Sequence, residues 1–225
     1  LYSRDGYDVK RNLTADNIKR EIDISLGRLD TDYIDIYFTH WQAVPEFPVP
    51  ISETMGALND IRKTGKIRAI GASNVTLDQI KEYLKYGRIE IVQNRFSMLD
   101  QKSFREVNDF CLENDITFQA YSPFERGLLT GAVGKEFTVK PGDARSNIPW
   151  YQEDLRGKVL EMLNGFAPLC KKYECSVSGL VVAWTLAQAP NVNVDAGSRR
   201  VKAIKENARG GEFPLSADDL RMMND

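Results

Sequence analysis

The sequence contains few cysteines, one histidine and no long apolar run. The three cysteines, Cys111, Cys170 and Cys175, lack metal-ligand spacing, so we expect reduced thiols in a cytoplasmic protein, with neither a disulfide framework nor a metal site. The absence of an apolar stretch of about 18 residues argues against a membrane span. A formal net charge of −2 argues against a general nucleic-acid or membrane-surface binder. The first residues lack both a methionine and the basic flank and apolar core of a signal peptide.

The single histidine, His40, follows a run of apolar and β-branched residues, YIDIYFTHW at positions 33–41. Such a run is typical of a parallel strand that is covered on both faces. In α/β barrels, a polar residue at the carboxyl end of a buried strand is where catalysis takes place. The alternative is a core histidine that is satisfied by a neighbour.

Hydrophobic periodicity predicts strands that alternate with helices along the chain. The strands are predicted at 33–38, 67–72, 89–93, 116–121 and 192–196. The helices are predicted at 14–29, 52–65, 76–86, 102–114, 153–174, 176–188, 201–208 and from 216 onward, with Thr14 as an N-cap and with Leu29 and Ala187 buried. A loop as long as 122–152 is usually functional. The alternation favours a parallel sheet in a single α/β domain over 1–225, either an open sheet or a (β/α)8 TIM barrel.

Six segments in order resemble the aldo-keto reductase family. They are SLGRLDTDYIDIYFTHW, GKIRAIGASN, VQNRFSMLD, AYSPFERGLLTG, GDARS and GSRRVKAIKEN, and the resemblance as a whole extends from about residue 18 to residue 220. Each segment alone is a weak signal, but the ordered set is strong. The chain is most similar to the bacterial branch that also resembles potassium-channel β subunits.

The resemblance implies a (β/α)8 barrel that transfers a hydride between NADP(H) and a small carbonyl substrate, and it implies a role for each matched residue. His40 matches the active-site histidine that orients the carbonyl, and Trp41 would line the substrate pocket. The cofactor-binding positions implied in this way are Ser73, Asn74, Gln93, Tyr121, Ser122, Phe124, Gly127, Leu128, Arg145, Gly197, Ser198, Arg199, Glu206 and Asn207. Among them, Tyr121 would stack on the nicotinamide, and Arg199 would bind the 2′-phosphate.

Physical chemistry is consistent with these roles. Serine, asparagine and glutamine at strand ends offer uncharged donors and acceptors for a nicotinamide carboxamide, and an aromatic ring offers a platform. The densest basic cluster, Arg199, Arg200, Lys202 and Lys205, favours NADP over NAD. Alternatively, Ser73-Asn74 is a helix N-cap, Tyr121 is ordinary packing, the basic cluster is a solvated helix face, and the glycines only shape a loop.

The chain departs from the family in its catalytic residues. The family's tetrad is Asp, Tyr, Lys and His, and the first three belong to segments that precede anything in this sequence. The family's glutamine in the last cofactor helix is replaced by Ala203. We therefore interpret the chain as the C-terminal two-thirds of the barrel, about its last five β/α units. It is a fragment of a longer reductase, a proteolytic or engineered product, or a short protein that pairs with another chain.

The sequence thus predicts an NADPH-dependent oxidoreductase that reduces aldehydes or ketones to alcohols. A non-catalytic NADP(H)-binding regulatory subunit, or an inactive truncated barrel, is the alternative. An oligomer is compatible with the sequence, and the particular carbonyl substrate is not specified by it.

Overall fold

The computed structural model describes residues 2–4, 7–9 and 11–224. The chain divides into two compact units. The first comprises Leu1–Asn94 and Ser103–Gln119, and the second comprises Arg95–Lys102 and Ala120–Asp225. In the described part of the chain, no helix combines the length and the apolar character that crossing a bilayer requires.

The first unit is built on parallel strands. Strands β3 (Ile34–Thr39), β4 (Ile67–Ser73) and β5 (Ile91–Arg95) pair in that order, and β6 (Thr117–Tyr121) follows β5. The register pairs Thr39 with Ala72 and Ser73 with Gln93, so the carboxyl ends of the strands lie along one edge. Gly71 is required in β4 because a Cβ atom there would lie 2.3 Å from the ring of Phe38.

Helices with one apolar face pack against one another in this unit. They are α1 (Ala15–Leu29), α2 (Ile51–Lys63), α3 (Leu77–Tyr86) and α4 (Lys102–Glu113). Apolar residues at helical spacing are buried, as in α2, where Met55, Leu58 and Ile61 are at most 5% exposed. Helix α3 begins with a capping box in which Thr76 accepts from the Gln79 amide.

The second unit contains most of the remaining elements. Strand β7 (Val192–Val194) lies beside the end of β6, where the amide of Asp195 donates to the carbonyl of Ala120 at 2.9 Å. Its helices are α5 (Glu153–Gly165), α6 (Ala167–Lys172), α7 (Val177–Leu186), α8 (Val201–Arg209) and α9 (Ala217–Asn224), and short 3-10 helices form at Glu125–Thr130, Ala144–Asn147 and Pro149–Tyr151. Helices α7 and α8 approach closely because Gly179 and Gly210 have no side chains; a Cβ atom on Gly210 would lie 2.3 Å from the carbonyl of Gly179.

The predicted element types are confirmed from α1 onward, but several details of the prediction are wrong. An antiparallel pair that the sequence analysis did not predict, β1 (Tyr2–Arg4) and β2 (Tyr7–Val9), precedes α1, and the helix predicted over 153–174 is two helices. Leu29 is 63% exposed and Ala187 is also exposed, because each lies at the end of its helix, beyond the packed face. Thr14 is the N-cap residue of α1, as predicted, and its hydroxyl donates to Asn12 rather than making a side-chain cap hydrogen bond.

Strand β3 is less buried than its apolar sequence predicts. Of its six residues only Thr39 is buried, and the others are half-buried or exposed. The physical reason is its position, since β3 is at one end of the strand order in the described sheet. The prediction of a parallel strand is confirmed, and the prediction of cover on both faces is wrong for the described residues.

Candidate functional site

Polar side chains at the strand ends of the first unit form a connected group, which we call the strand-end cluster: His40, Gln42, Ser73, Asn74 and Gln93. The hydroxyl of Ser73 donates to the Gln93 carbonyl at 2.8 Å, and the side-chain amide of Asn74 donates to the His40 carbonyl at 2.8 Å. The amide of Gln93 continues to the side chain of Gln119 at 2.7 Å. Four of the predicted site residues are therefore brought together by three neighbouring strands.

The left-handed backbone of Asn74 turns the chain out of the sheet directly after β4 ends at Ser73. Its φ of 57° is left-handed, a conformation in which asparagine is enriched, and its amide donates to the Gln93 carbonyl at 3.0 Å. Helix α3 is capped by Thr76, so the alternative in which Ser73-Asn74 is the N-cap pair is wrong. Both side chains are instead directed to neighbouring strand ends.

The histidine itself is exposed, which contradicts the core-histidine alternative. It directly follows Thr39, the last residue of β3, and its ring centroid is 6.2 Å from that of Trp41. Trp41 is 36% exposed, and the guanidinium of Arg11 lies 4.4 Å from its ring centroid. An exposed imidazole beside an exposed indole is compatible with a surface that receives a small ligand.

Beneath the cluster, a buried pair supports the loop that follows His40. The hydroxyl of Tyr83 donates to Gln42 Oε1 at 2.6 Å, and the Gln42 amide donates to the Ser73 carbonyl at 3.1 Å. Tyr83 is 0% exposed and Gln42 is 6% exposed. Burial raises the pKa of Tyr83, so its hydroxyl stays protonated and remains a donor. The pair fixes the spacing between the ends of β3 and β4.

The second unit contains a cavity of about 670 Å³, which we call the arginine cavity. Seven of the predicted cofactor-binding residues line it, namely Ser122, Phe124, Gly127, Arg145, Gly197, Ser198 and Arg199. Four of its lining residues are arginines, since Arg126 and Arg200 are added to the two predicted ones, and Asp195 is the acidic residue among them. A concave, arginine-rich surface favours a ligand with several phosphate oxygens.

Arg145 reaches this cavity from the segment that follows Gly142. Its guanidinium binds both carboxylate oxygens of Asp143 and lies 4.7 Å from the ring centroid of Phe137. The bond to Arg145 lowers the pKa of Asp143 to about 2. The Asp143 carboxylate is therefore ionised at neutral pH, and its hydrogen bonds orient the Arg145 guanidinium.

A left-handed turn forms another wall of the cavity. Glu125, Arg126 and Gly127 have φ values of 45°, 52° and 101°. The Glu125 side chain is fully buried, whereas Arg126 is exposed and lines the cavity. Consecutive left-handed residues other than glycine are unfavourable and persist only where surrounding contacts hold them.

The other predicted site residues lie apart from the arginine cavity or contribute little side-chain surface. Tyr121 is half-buried at the end of β6, where its carbonyl accepts from the Phe96 amide at 3.3 Å. Leu128 is 0% exposed and Asn207 is 5% exposed. Glu206 lines a separate groove on α8 with Lys202 and Lys205. The cofactor-binding roles of these four residues stay predictions.

Sequence reasoning did not assign Gln42, Tyr83, Glu125 or Arg126. Gln42 stands two positions after the only histidine, and Glu125 and Arg126 lie within the family-like segment AYSPFERGLLTG. Closeness in sequence to predicted site residues was therefore a usable signal for these three. Tyr83 gave no such signal, because it lies in a helix 41 residues from its partner Gln42.

Comparisons with known proteins give a consistent result. The model of the aldo/keto reductase family matches residues 5–225. An NADH-specific methylglyoxal reductase of Escherichia coli (strain K12) is 42% identical over 215 residues, which are 96% of this chain and 65% of that protein. An aldo-keto reductase of Bacillus subtilis (strain 168) is 31% identical, with 95% of this chain and 64% of that protein covered. The chain spans slightly less than two thirds of the length of these relatives.

A solved structure is similar over the whole chain. The glycerol dehydrogenase from Gluconobacter oxydans aligns with a TM-score of 0.91 at 25% identity, covering 100% of this chain and 67% of that one. The parallel strand pairs and the family match agree with one another. The chain belongs to the aldo/keto reductase family.

Proposed function

We propose that the chain contributes the cofactor-binding part of an oxidoreductase that reduces a small aldehyde or ketone with a reduced nicotinamide dinucleotide. The observation that carries this proposal is the arginine cavity, because seven residues predicted to bind cofactor line one concave surface with two further arginines. A dinucleotide carries at least two phosphate charges, and guanidinium groups match phosphate geometry.

The strand-end cluster would bind the nicotinamide end of the dinucleotide. Ser73, Asn74 and Gln93 offer uncharged donors and acceptors suited to a carboxamide, and Tyr121 would be the platform for the ring. A bound reduced nicotinamide would supply the hydride for the carbonyl carbon, and the tetrad tyrosine that the family resemblance implies would supply the proton for the carbonyl oxygen. His40 would then donate a hydrogen bond to the carbonyl oxygen and orient it, beside a substrate surface formed in part by Trp41.

We propose that residues 1–225 form one domain that provides about the last five units of a (β/α)8 barrel. The five-stranded sheet in the described chain, with parallel pairing from β3 to β5, and the partial coverage of the relatives support this assignment. The branch similar to potassium-channel β subunits remains our proposal for its place within the family.

For the cofactor we propose NADP(H), because Arg199 and Arg200 both line the cavity and exceed what a 2′-hydroxyl would need. The 42% identical relative from Escherichia coli is named NADH-specific, so the opposite preference is the informative alternative. Binding therefore has to be measured with both dinucleotides.

The binding test is fluorescence titration of the purified protein with NADPH and with NADH. Arg199→Ala should weaken NADPH binding by about tenfold or more, the usual loss for a charge-assisted hydrogen bond, and should weaken NADH binding much less. Arg221→Ala is the matched control, because Arg221 lies on α9 in the same unit with a 71% exposed side chain. Equal affinity of the wild type and Arg199→Ala for NADPH would remove the 2′-phosphate role.

The catalytic test follows the loss of reduced nicotinamide absorbance in the protein of natural length, with methylglyoxal and other small aldehydes. His40→Ala should lose most turnover while still binding the dinucleotide. Binding without turnover of any aldehyde in the panel would instead favour a regulatory, non-catalytic subunit. Absence of binding to both dinucleotides would refute the proposed function itself.

A further inference from the structure

The carboxylate of Glu125 is the most completely enclosed charge in the second unit's loop segment. Its side chain is 0% exposed, and it forms an ion pair with Arg95. The hydroxyl of Ser97 donates to Oε1 at 2.6 Å, and the indole N–H of Trp150 donates to Oε2 at 2.9 Å. A buried carboxylate with a cation and two further donors is held in a single orientation.

The backbone on either side of this carboxylate is also anchored. The hydroxyl of Tyr151 lies 3.1 Å from the carbonyl of Glu125 and 3.0 Å from that of Arg126. Two donors from the segment after Pro149 therefore bind this turn, one at the side chain and one at the main chain. These contacts explain how Glu125 and Arg126 remain left-handed despite the cost of that conformation.

Arg126 is the charged residue of the turn that lines the arginine cavity, beside Gly127. It is exposed, while the residue before it is fully buried, so the turn separates an inner anchor from an outer cation. Its charge adds to those of Arg145, Arg199 and Arg200 around the same cavity. Arg145 already forms an ion pair with Asp143. The neighbouring carboxylate of Glu125 forms its ion pair with Arg95 and not with Arg126.

We propose that Arg126 is an additional phosphate-binding residue of this cavity and that Glu125 is its positioning residue. The inference rests on the proposed function, since the ligand is the dinucleotide named there. It deepens that function by assigning Arg126 to the phosphates that NADH and NADPH share. Arg199, by contrast, is assigned to the 2′-phosphate that only NADPH carries. Glu125 then affects binding only through Arg126, the residue that it holds in place.

This relation is tested by a double-mutant cycle on dinucleotide affinity. The variants are Glu125→Gln, Arg126→Ala and the combination, each titrated with NADPH and NADH in the protein of natural length. Arg126→Ala should weaken both dinucleotides by a similar factor, about tenfold to a hundredfold. Glu125→Gln should weaken binding in the wild-type background and should add little once Arg126 is alanine.

Two further variants separate positioning from general destabilisation. Trp150→Phe keeps an aromatic side chain and removes the indole hydrogen bond to Glu125, so it should weaken binding in the same direction if Glu125→Gln fails to fold. Tyr173→Phe removes a hydroxyl that accepts from the Ser216 amide at 2.9 Å in the same unit, and Tyr173 does not line the cavity. It should lower thermal stability and leave both affinities unchanged.

The outcomes distinguish this inference from the function on which it rests. If the wild type binds a dinucleotide but Arg126→Ala binds it equally well, the phosphate role of Arg126 is wrong and the proposed function stands. If the effects of Glu125→Gln and Arg126→Ala multiply independently, Glu125 is not its positioning residue. If the wild type binds neither dinucleotide, both the inference and the function fail.

Discussion

The buried pair beneath the strand-end cluster leads to a prediction about Tyr83→Phe. This substitution removes one hydroxyl and preserves the ring, so the change in packing volume is small. The hydroxyl donates to Gln42 Oε1 at 2.6 Å and lies 3.3 Å from Thr39 Oγ1. Because Gln42 is 6% exposed, its Oε1 atom would be left buried without this donor.

The expected loss of stability follows from the unpaired Oε1 atom of Gln42. Leaving a buried acceptor unsatisfied costs about 1–3 kcal/mol, more than the net value of about 1 kcal/mol for an ordinary neutral hydrogen bond. For a chain of this size each kcal/mol lowers the Tm by about 2–4 °C, so the expected loss is about 2–12 °C. Under the proposed function, Tyr83→Phe should also lower turnover, because Gln42 donates to the Ser73 carbonyl and so links β3 to β4.

The assay is thermal unfolding followed by circular dichroism, with Tyr33→Phe as the control. Tyr33 is half-buried, and its ring contact with the Arg68 guanidinium, 4.0 Å from the centroid, is preserved by phenylalanine. A Tm of Tyr83→Phe no lower than that of Tyr33→Phe would refute the reasoning. A cycle with Gln42→Ala should show that the two losses are not additive.

Two other predictions concern stability. Gly71→Ala places a Cβ atom 2.3 Å from the ring of Phe38, so it should cost about 1–3 kcal/mol in urea unfolding, and Phe38→Ala in the same chain should remove that cost. The hydrogen bond from Lys172, then those from Tyr173 and Ser216, lower the pKa of Asp219 from 3.8 to about 2. A depressed folded-state pKa gives stability that is present above pH 4 and is lost as the pH falls toward 2. The wild type should therefore lose more stability across that window than Asp219→Asn, and equal slopes would contradict the assignment.

Most of the fold could be predicted because its elements are specified by local patterns. Met55, Leu58 and Ile61 repeat at helical spacing, and β4 is a short apolar run between turn residues. The exposure of β3 could not be predicted, since it depends on the position of the strand in the sheet rather than on the sequence YIDIYFTHW. Likewise, Leu29 is apolar and in phase with its helix, but nothing in the sequence specifies which turn extends beyond its neighbours.

The candidate site shows the same division. Ser73 and Asn74 were predictable as strand-end polar residues, because parallel strands bring their carboxyl ends to one edge. The burial of Glu125 was not, since a glutamate in a loop is ordinarily solvated and its three side-chain partners are distant in sequence. The link from Tyr83 to Gln42 was also beyond sequence reasoning, because it depends on tertiary packing of a helix against strand ends.

The anchoring of the segment between residues 125 and 151 determines how freely the length of that segment can change in this chain. Since Trp150 and Tyr151 bind the turn at Glu125, the ends of the intervening stretch are held together independently of what lies between them. The closure entropy of a loop rises by only about 0.6 kcal/mol when its length doubles. Insertions or deletions at 138–142 would therefore be thermodynamically inexpensive, while Phe137 and Arg145 on either side still line the cavity. A change in the length of this stretch should therefore alter the wall of the arginine cavity at little cost to folding.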